Sequence, residues 1–213
     1  MKLQLQKLAR EVRKGKIQQM GHDQILKSVE SSDRQVNRLT SLIDDLLDVS
    51  RISSGKLTLN KEKFSLDEMV EEVVSHYNHQ FKESQSTINV QVEKNLMGFF
   101  DKVRIEQVFI NLLTNAAKYA PKKPIDVELK RVGNFACLSV KDQGQGISAV
   151  DQKRIFDRFE RVRDRDNVGG LGLGLYISRQ IVDAHQGQIR VESEIGKGAT
   201  FMVQLPLLEG EHG

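Results

Sequence analysis

A single cysteine, Cys137, stands in the whole chain, so no disulfide can form within it. It lies in the apolar pattern FACLSV and reads as a small buried residue of a protein kept in a reducing compartment. Long apolar runs are missing too. Nothing approaches the roughly 20 residues of a membrane-spanning helix, and the N-terminus lacks the layout of a signal peptide. Charge of one sign never accumulates: 32 Lys and Arg face 29 Asp and Glu, and no basic block of the kind that binds nucleic acid occurs. The phosphate-loop signature with Gly-Lys-Ser/Thr is absent, so a nucleotide would have to be held in some other way. These absences predict a soluble, cytoplasmic chain without nucleic-acid or membrane contact, although a longer parent could be anchored in a membrane. What remains is 213 residues, 38% apolar and 29% charged, enough for one or two domains with a core.

The first 55 residues are predicted to be a helical hairpin. Leu5, Leu8 and Val12 mark a short helix, broken around Gly15 and Gly21. A longer helix follows from about Asp23 to Ile52, with Ile25, Val29, Ser32, Val36, Leu39, Ile43, Leu46 and Ser50 alternating at spacings of four and three. Leu42, Leu47 and Val49 widen that seam into a face suited to a four-helix bundle, which one hairpin cannot complete. Two copies can, so a homodimer is expected. His22, next to Gly21 in the connection, reads most simply as a solvated histidine. Residues 56–64 are taken as a linker after the hinge at Ser53, Ser54 and Gly55.

Residues 65–213 are expected to form an α/β sandwich with a mixed, largely antiparallel sheet. LTLN (57–60) suggests a short strand just before it. Ser65, with Glu68, suggests the capping box of a helix from about Leu66 to Glu83. His76 and His79 on that helix have a spacing zinc can use, but no further ligand lies nearby, and they read as surface histidines. Strands are predicted at 87–92, 97–100, 125–130, 136–141, 188–192 and 200–205, paired mostly as hairpins, with helices on one face.

FDKVRIEQVFINLLTNAAKYAP (100–121) reads as one helix, with Val103, Val108, Leu112, Leu113 and Ala116 as its apolar positions and Pro121 as its stop. Asn111, Asn115 and Lys118 stack on one face at i, i+4 and i+7. Asparagine is a poor helix former. Two on one face with a lysine beyond suit a hard cation, Mg²⁺, bridged to phosphates. The plainer alternative is a polar stripe on a half-exposed helix.

Two glycine clusters follow. Asp142-Gln143-Gly144-Gln145-Gly146-Ile147 comes directly after a strand and sets a carboxylate beside a tight turn that a flat ligand can approach. A carboxylate accepts a hydrogen bond from an exocyclic amine, so adenine is a candidate. Gly144-x-Gly146-x-x-Ala149 also matches a loose dinucleotide fingerprint, but repeated βαβ units are lacking. The second cluster, Gly169-Gly170-Leu171-Gly172-Leu173-Gly174-Leu175, runs into a helix whose first N–H groups form an anion site. Between them, 154–167 is dense in charge, with Ile155, Phe156 and Phe159 as anchors. Such a segment is expected to be mobile and to close over a ligand.

In this order the motifs resemble those of the cytoplasmic core of bacterial two-component sensor histidine kinases, with an ATP-binding domain of the gyrase, Hsp90, histidine kinase and MutL type. NLLTNAAKYA looks like the family's asparagine box, DQGQGI the first glycine box, IFDRFERV the phenylalanine box, GLGLGL the second glycine box and GKGATF the last. LIDDLLDVSRISSGKL is similar to the end of the second helix of the dimerisation and phosphotransfer domain. The resemblance implies ATP with Mg²⁺ as cofactor, Asn115 on the metal and Asn111 beside the phosphates. Lys118 and Tyr119 would line the nucleotide, with Asp142 on the adenine amino group and Gly144, Gly146, Ile147 and Phe156 around it. Gly170, Leu171, Gly172, Leu173, Gly174 and Leu175 would form the phosphate-facing lid end, with Arg161 as a lid arginine. Asn111 and Lys118 would be the catalytic pair, and a response-regulator receiver domain the partner.

One element of the pattern is absent. The family's phosphoacceptor histidine is followed by an acid and then Arg-Thr-Pro or similar; His22 is followed by Asp23 but then Gln-Ile-Leu. The expectation is that the chain starts downstream of the acceptor, with a natural variant that lacks it as the alternative, and that the chain does not phosphorylate itself. Three functions stay open: transfer of the ATP γ-phosphoryl to a histidine, an ATPase clamp, and a nucleotide-sensing module. Clamp ATPases of this superfamily place a glutamate base where Asn111 stands, which favours the kinase.

Overall fold

The computed structural model describes residues 22–83, 86–160 and 171–207. The short helix expected around Leu5 to Val12 falls outside them. The chain divides into two compact units, Met1–Ser50 and Arg51–Gly213.

Helix α1, His22–Ser53, is one unbroken run of 32 residues, about 48 Å at 1.5 Å per residue. Along its seam, Val29, Val36, Leu39, Ile43 and Leu46 are each about half exposed.

The second unit holds two sheets. β1 (Glu62–Ser65) pairs antiparallel with β3 (Met97–Phe100), Glu62 opposite Phe100 and Ser65 opposite Met97. A five-stranded sheet runs in the order β2-β4-β5-β7-β6, with β2 at Ile88–Val92, β4 at Ile125–Val132, β5 at Phe135–Lys141, β6 at Gln188–Ser193 and β7 at Ala199–Pro206. Only β2 and β4 are parallel among these pairs. Helices α2 (Leu66–Glu83), α3 (Lys102–Tyr119) and α5 (Gly174–Ala184), with the single turn α4 (Ala149–Gln152), complete the unit. This is the mixed, largely antiparallel α/β sandwich that the hairpin pattern predicts. The alternation along β7 is complete, with Ala199, Phe201, Val203 and Leu205 buried and the residues between them half-buried, as a sheet covered on one face requires. Of these, Val203 and Leu205 meet Met69 and Val70 of α2 and Ile105 and Val108 of α3 in one apolar layer.

Three local expectations are corrected. The first strand lies at 62–65 rather than 57–60, because pairing with β3 sets it, not its own alternation. Ser65 does not cap α2 as an acceptor; its hydroxyl donates to the Asp67 carboxylate, which also takes the Leu96 N–H at 3.0 Å. Burial alone would raise the pKa of Asp67, but these hydrogen bonds outweigh it and hold the group below the usual carboxylate range. Val103, counted among the apolar positions of α3, is 71% exposed, and the buried face is Ile105, Val108, Phe109, Leu112, Leu113 and Ala116.

No helix among the described residues is long and apolar enough to cross a membrane.

Candidate functional site

β3 delivers the chain to Asp101, which begins α3. Its side chain accepts from the Arg104 N–H at 3.2 Å and its backbone is extended, the geometry of an N-cap. Two and a half turns further on, Asn111 packs against α5. Its amide donates to the Ser178 hydroxyl at 2.9 Å, and a Cβ placed on Gly174 would lie 2.5 Å from Asn111 Oδ1. Only glycine lets the start of α5 come this close to α3. Asn115 donates to Asn111 Oδ1 at 3.3 Å. The chain of amides thus runs Asn115 to Asn111 to Ser178, and among the described residues nothing donates to the carboxamide oxygen of Asn115. That oxygen is an open hard-ligand position on a half-buried side chain.

α5 opens without a side-chain cap: Leu173 precedes it and offers no hydrogen bond to its first turn. Gly172 has φ +71, a left-handed step that turns the chain into the helix. The start of α5 thus lies against the Asn111 carboxamide at Gly174, and its uncapped N–H groups and the helix dipole make this end favourable for anions. Lys118, the third member of the polar face, holds its ammonium 5.0 Å from the centroid of the Tyr119 ring.

Asp142 directly follows β5 and is 4% exposed. Oδ1 accepts from the N–H groups of Gly144 at 2.7 Å and Ala199 at 3.3 Å. No described residue donates to Oδ2. Burial pushes the Asp142 carboxyl up, against the pull of those two N–H groups and of the nearby Lys123 ammonium. Lys123 itself donates to the Gln143 carbonyl at 2.7 Å. A buried carboxylate with one oxygen spoken for and one unpaired is suited to a single donor from a ligand.

The glycines of this loop meet protein on their Cα side. A Cβ on Gly144 would stand 2.6 Å from the Tyr119 carbonyl oxygen, and one on Gly146 (φ +74) 2.0 Å from that of Glu194. Gly198 (φ +81) closes the same joint from the β6–β7 hairpin, with a Cβ position 2.1 Å from the Asp142 carbonyl oxygen. Ile147 N–H and Gln152 hold the loop to Ser193, at 2.8 Å each.

Phe156 is buried edge-on against Phe201, and Ile155 lies beside it in the core. Phe159 is no anchor: it is 58% exposed with φ +61. Arg154 pairs with Asp151 at 3.5 Å and Glu160 at 3.4 Å. Leu171 is exposed, whereas Leu173 is buried; Leu175 is half-buried. Arg161, Gly169 and Gly170 lie outside the described residues. Among the rest, Asn111, Asn115 and Gly174 come together as one group, and Tyr119, Asp142 and Gly144 as a second. Ser178 and Lys123 complete these groups, and nothing in the motifs pointed to them. For Ser178 a signal existed: it is a lone polar residue one turn after Gly174, on the buried face of α5.

The family model described as "Histidine kinase-, DNA gyrase B-, and HSP90-like ATPase" matches residues 100–209, more than half of the chain. The chain belongs to that family. Its curated relatives include the circadian input-output histidine kinase CikA of Synechococcus elongatus, 34% identical over 79% of this chain and 23% of that protein. Another is the sensor protein SrrB of Staphylococcus aureus, 32% identical over 86% of this chain and 32% of that protein. The chain thus spans about a quarter to a third of the length of the curated relatives it matches. Among solved structures, full-length ShkA in complex with AMPPNP superposes with a TM-score of 0.74 over 88% of this chain and 40% of that one, at 23% identity. The Acinetobacter baumannii histidine kinase AdeS gives 0.71 over 96% and 94%, also at 23% identity. These two likenesses carry the fold. The catalytic domain of histidine kinase ThkA, at 27% identity, gives 0.62 over 69% of this chain and 95% of that one. The family is thus that of an ATP-binding catalytic core, and the relatives it matches are named as histidine kinases and a sensor protein.

Proposed function

We propose that this chain binds Mg-ATP and donates the γ-phosphoryl group to a histidine of a kinase dimer, for relay to a response-regulator aspartate. The observation that carries the reading is the amide chain from Asn115 to Ser178, which leaves the Asn115 oxygen open beside the uncapped start of α5. Asn115 would be the Mg²⁺ ligand and Asn111 its neighbour at the phosphates. The N–H groups of Gly174 and Leu175 would take phosphate oxygens, and Lys118 would turn from Tyr119 toward the same charge. Mg²⁺ supplies charge neutralisation on the transferring group. Asp142 Oδ2 would accept from the adenine amino group, and Tyr119 and Ile147 would flank the base. Catalysis is then positioning and charge neutralisation, with Asn111 and Lys118 nearest the reacting end. An amide cannot take a proton from water, so Asn111 gives hydrolysis no base, which favours phosphoryl transfer over the clamp ATPase reading.

The half-exposed seam of α1 supports a homodimer, in which a second copy covers Val36, Ile43 and Leu46. A structure of ThkA in complex with the response regulator TrrA shares the fold at 21% identity, and a receiver domain is the proposed partner here. The chain would act as the cytoplasmic part of a sensor. Calorimetry tests the nucleotide reading directly. Asn115→Ala should weaken Mg-ATP binding by about tenfold or more, the loss of one charge-assisted contact, while leaving metal-free ATP binding nearly unchanged. Equal affinity of both proteins for Mg-ATP would reject the assignment.

A further inference from the structure

His185 follows the last turn of α5 and is 1% exposed, yet none of the binding roles above uses it. Its Nδ1 lies 2.8 Å from the Ile181 carbonyl oxygen, an acceptor only, so Nδ1 carries the ring proton. Nε2 is left as an acceptor and takes the backbone N–H of Asp101 at 3.0 Å. The neutral ring is the form this arrangement needs, and burial supports it by holding the imidazole below its usual pKa. The ring also packs 5.9 Å from that of Phe100.

The partner of His185 is the N-cap of the asparagine helix. Ten residues along α3, about 15 Å at helical rise, Asn111 meets Ser178, seven residues before His185. The two helices therefore run antiparallel, tied at two levels: Asp101 to His185 at one end and Asn111 to Ser178 near the other. The first tie lies away from Gly174, the second beside it. Asp101 also accepts the Asn60 N–H on its carboxylate at 2.9 Å, so the segment entering β1 joins the same network.

We propose that His185 is a positioning residue for the phosphate end of the site. Its hydrogen bond to the Asp101 N–H sets the register of α5 against α3, and so holds the uncapped N-terminus of α5 against Asn111 and Asn115. The inference rests on reading the site as one for Mg-ATP. It makes a distinction that reading alone does not, because Asp142 sits on neither helix. Loss of the His185 tie should loosen the grip on the β- and γ-phosphates and leave adenine recognition intact.

The test is calorimetric titration of the full chain with Mg-ATP and, separately, with AMP. Wild type, His185→Phe and His185→Gln are compared. Phenylalanine keeps the ring packing and removes the acceptor; glutamine places a carbonyl oxygen where Nε2 was. His185→Phe should lose about five- to tenfold in Mg-ATP affinity, the scale of one buried hydrogen bond left unmade, with AMP affinity within twofold of wild type. His185→Gln should recover most of the loss. Equal losses for both nucleotides, no loss at all, or failure of glutamine to rescue would overturn the proposal. A wild type that binds Mg-ATP no better than AMP would instead reject the Mg-ATP reading, and the inference with it. Should His185→Phe not fold, ¹⁵N NMR of the wild type decides. The Asp101 amide is expected to shift with Mg-ATP and stay still with AMP, and an equal response to both would refute the register role.

Discussion

Replacing Asp142 by asparagine separates recognition from folding more cleanly than any other change in the site. The carboxylate is 4% exposed, and its Oδ1 holds the Gly144 and Ala199 N–H groups. Asparagine keeps the shape, and its carbonyl oxygen can take over both bonds. Its amide nitrogen then falls at the Oδ2 position, where a donor would face the donor of the adenine amino group. The loss is one charge-assisted hydrogen bond, about 1.5–3 kcal/mol, or roughly 10- to 150-fold in Kd. Stability should move the other way. The folded-state pKa of Asp142 is raised above the ordinary 3.8, so above the raised value the folded state carries a charge it disfavours. Protonation, or the neutral asparagine, relieves that penalty. The variant should therefore melt at or above the wild-type temperature at neutral pH while binding ATP far more weakly. Wild-type ATP affinity should also fall as pH is lowered through the raised pKa, a step the variant lacks. Calorimetry and thermal melting on the same samples read both quantities. An affinity within twofold of wild type, or losses of affinity and melting temperature in parallel, would refute the reasoning.

Two further outcomes follow from the geometry. Gly198→Ala combines a left-handed φ of +81 with a Cβ 2.1 Å from the Asp142 carbonyl oxygen. It should cost about 2 kcal/mol or more and lower the melting temperature by about 5 °C, with a wild-type melt as the contrary result. Ile43→Lys with Leu46→Lys places two charges on the half-exposed seam of α1. It should convert a dimer to a monomer in sedimentation without changing the melting of the ATP-binding unit, and a monomeric wild type at micromolar concentration would contradict the dimer.

Helix α3 was legible in the sequence to within two residues at each end, because its signal is local: apolar spacing and a proline after the end. Position β1 was not. LTLN alternates, but Glu62–Ser65 wins by pairing with β3, and such pairing leaves no local trace. The glycine clusters announced a site without giving the reason for each glycine. Gly146 and Gly198 are needed because two loops dock backbone to backbone, whereas Gly174 clears space for an asparagine 63 positions earlier in the chain. Ser178 and His185 escaped notice for the same cause: their partners lie 67 and 84 residues away. Periodicity reports what a residue does within its own element; these two act between elements.

The central claim is phosphoryl donation to a histidine on another helix, and γ-labelled ATP tests it most directly. The chain is incubated alone and with a dimerisation and phosphotransfer hairpin that carries the acceptor histidine, and the labelled proteins are then treated with acid and with alkali. The account predicts no label on this chain alone and acid-labile, alkali-stable label on the added hairpin. Acid-labile label on this chain itself would make one of its five histidines an acceptor, His22 first among them, and steady release of free phosphate with no labelled protein would contradict the kinase reading in favour of an ATPase.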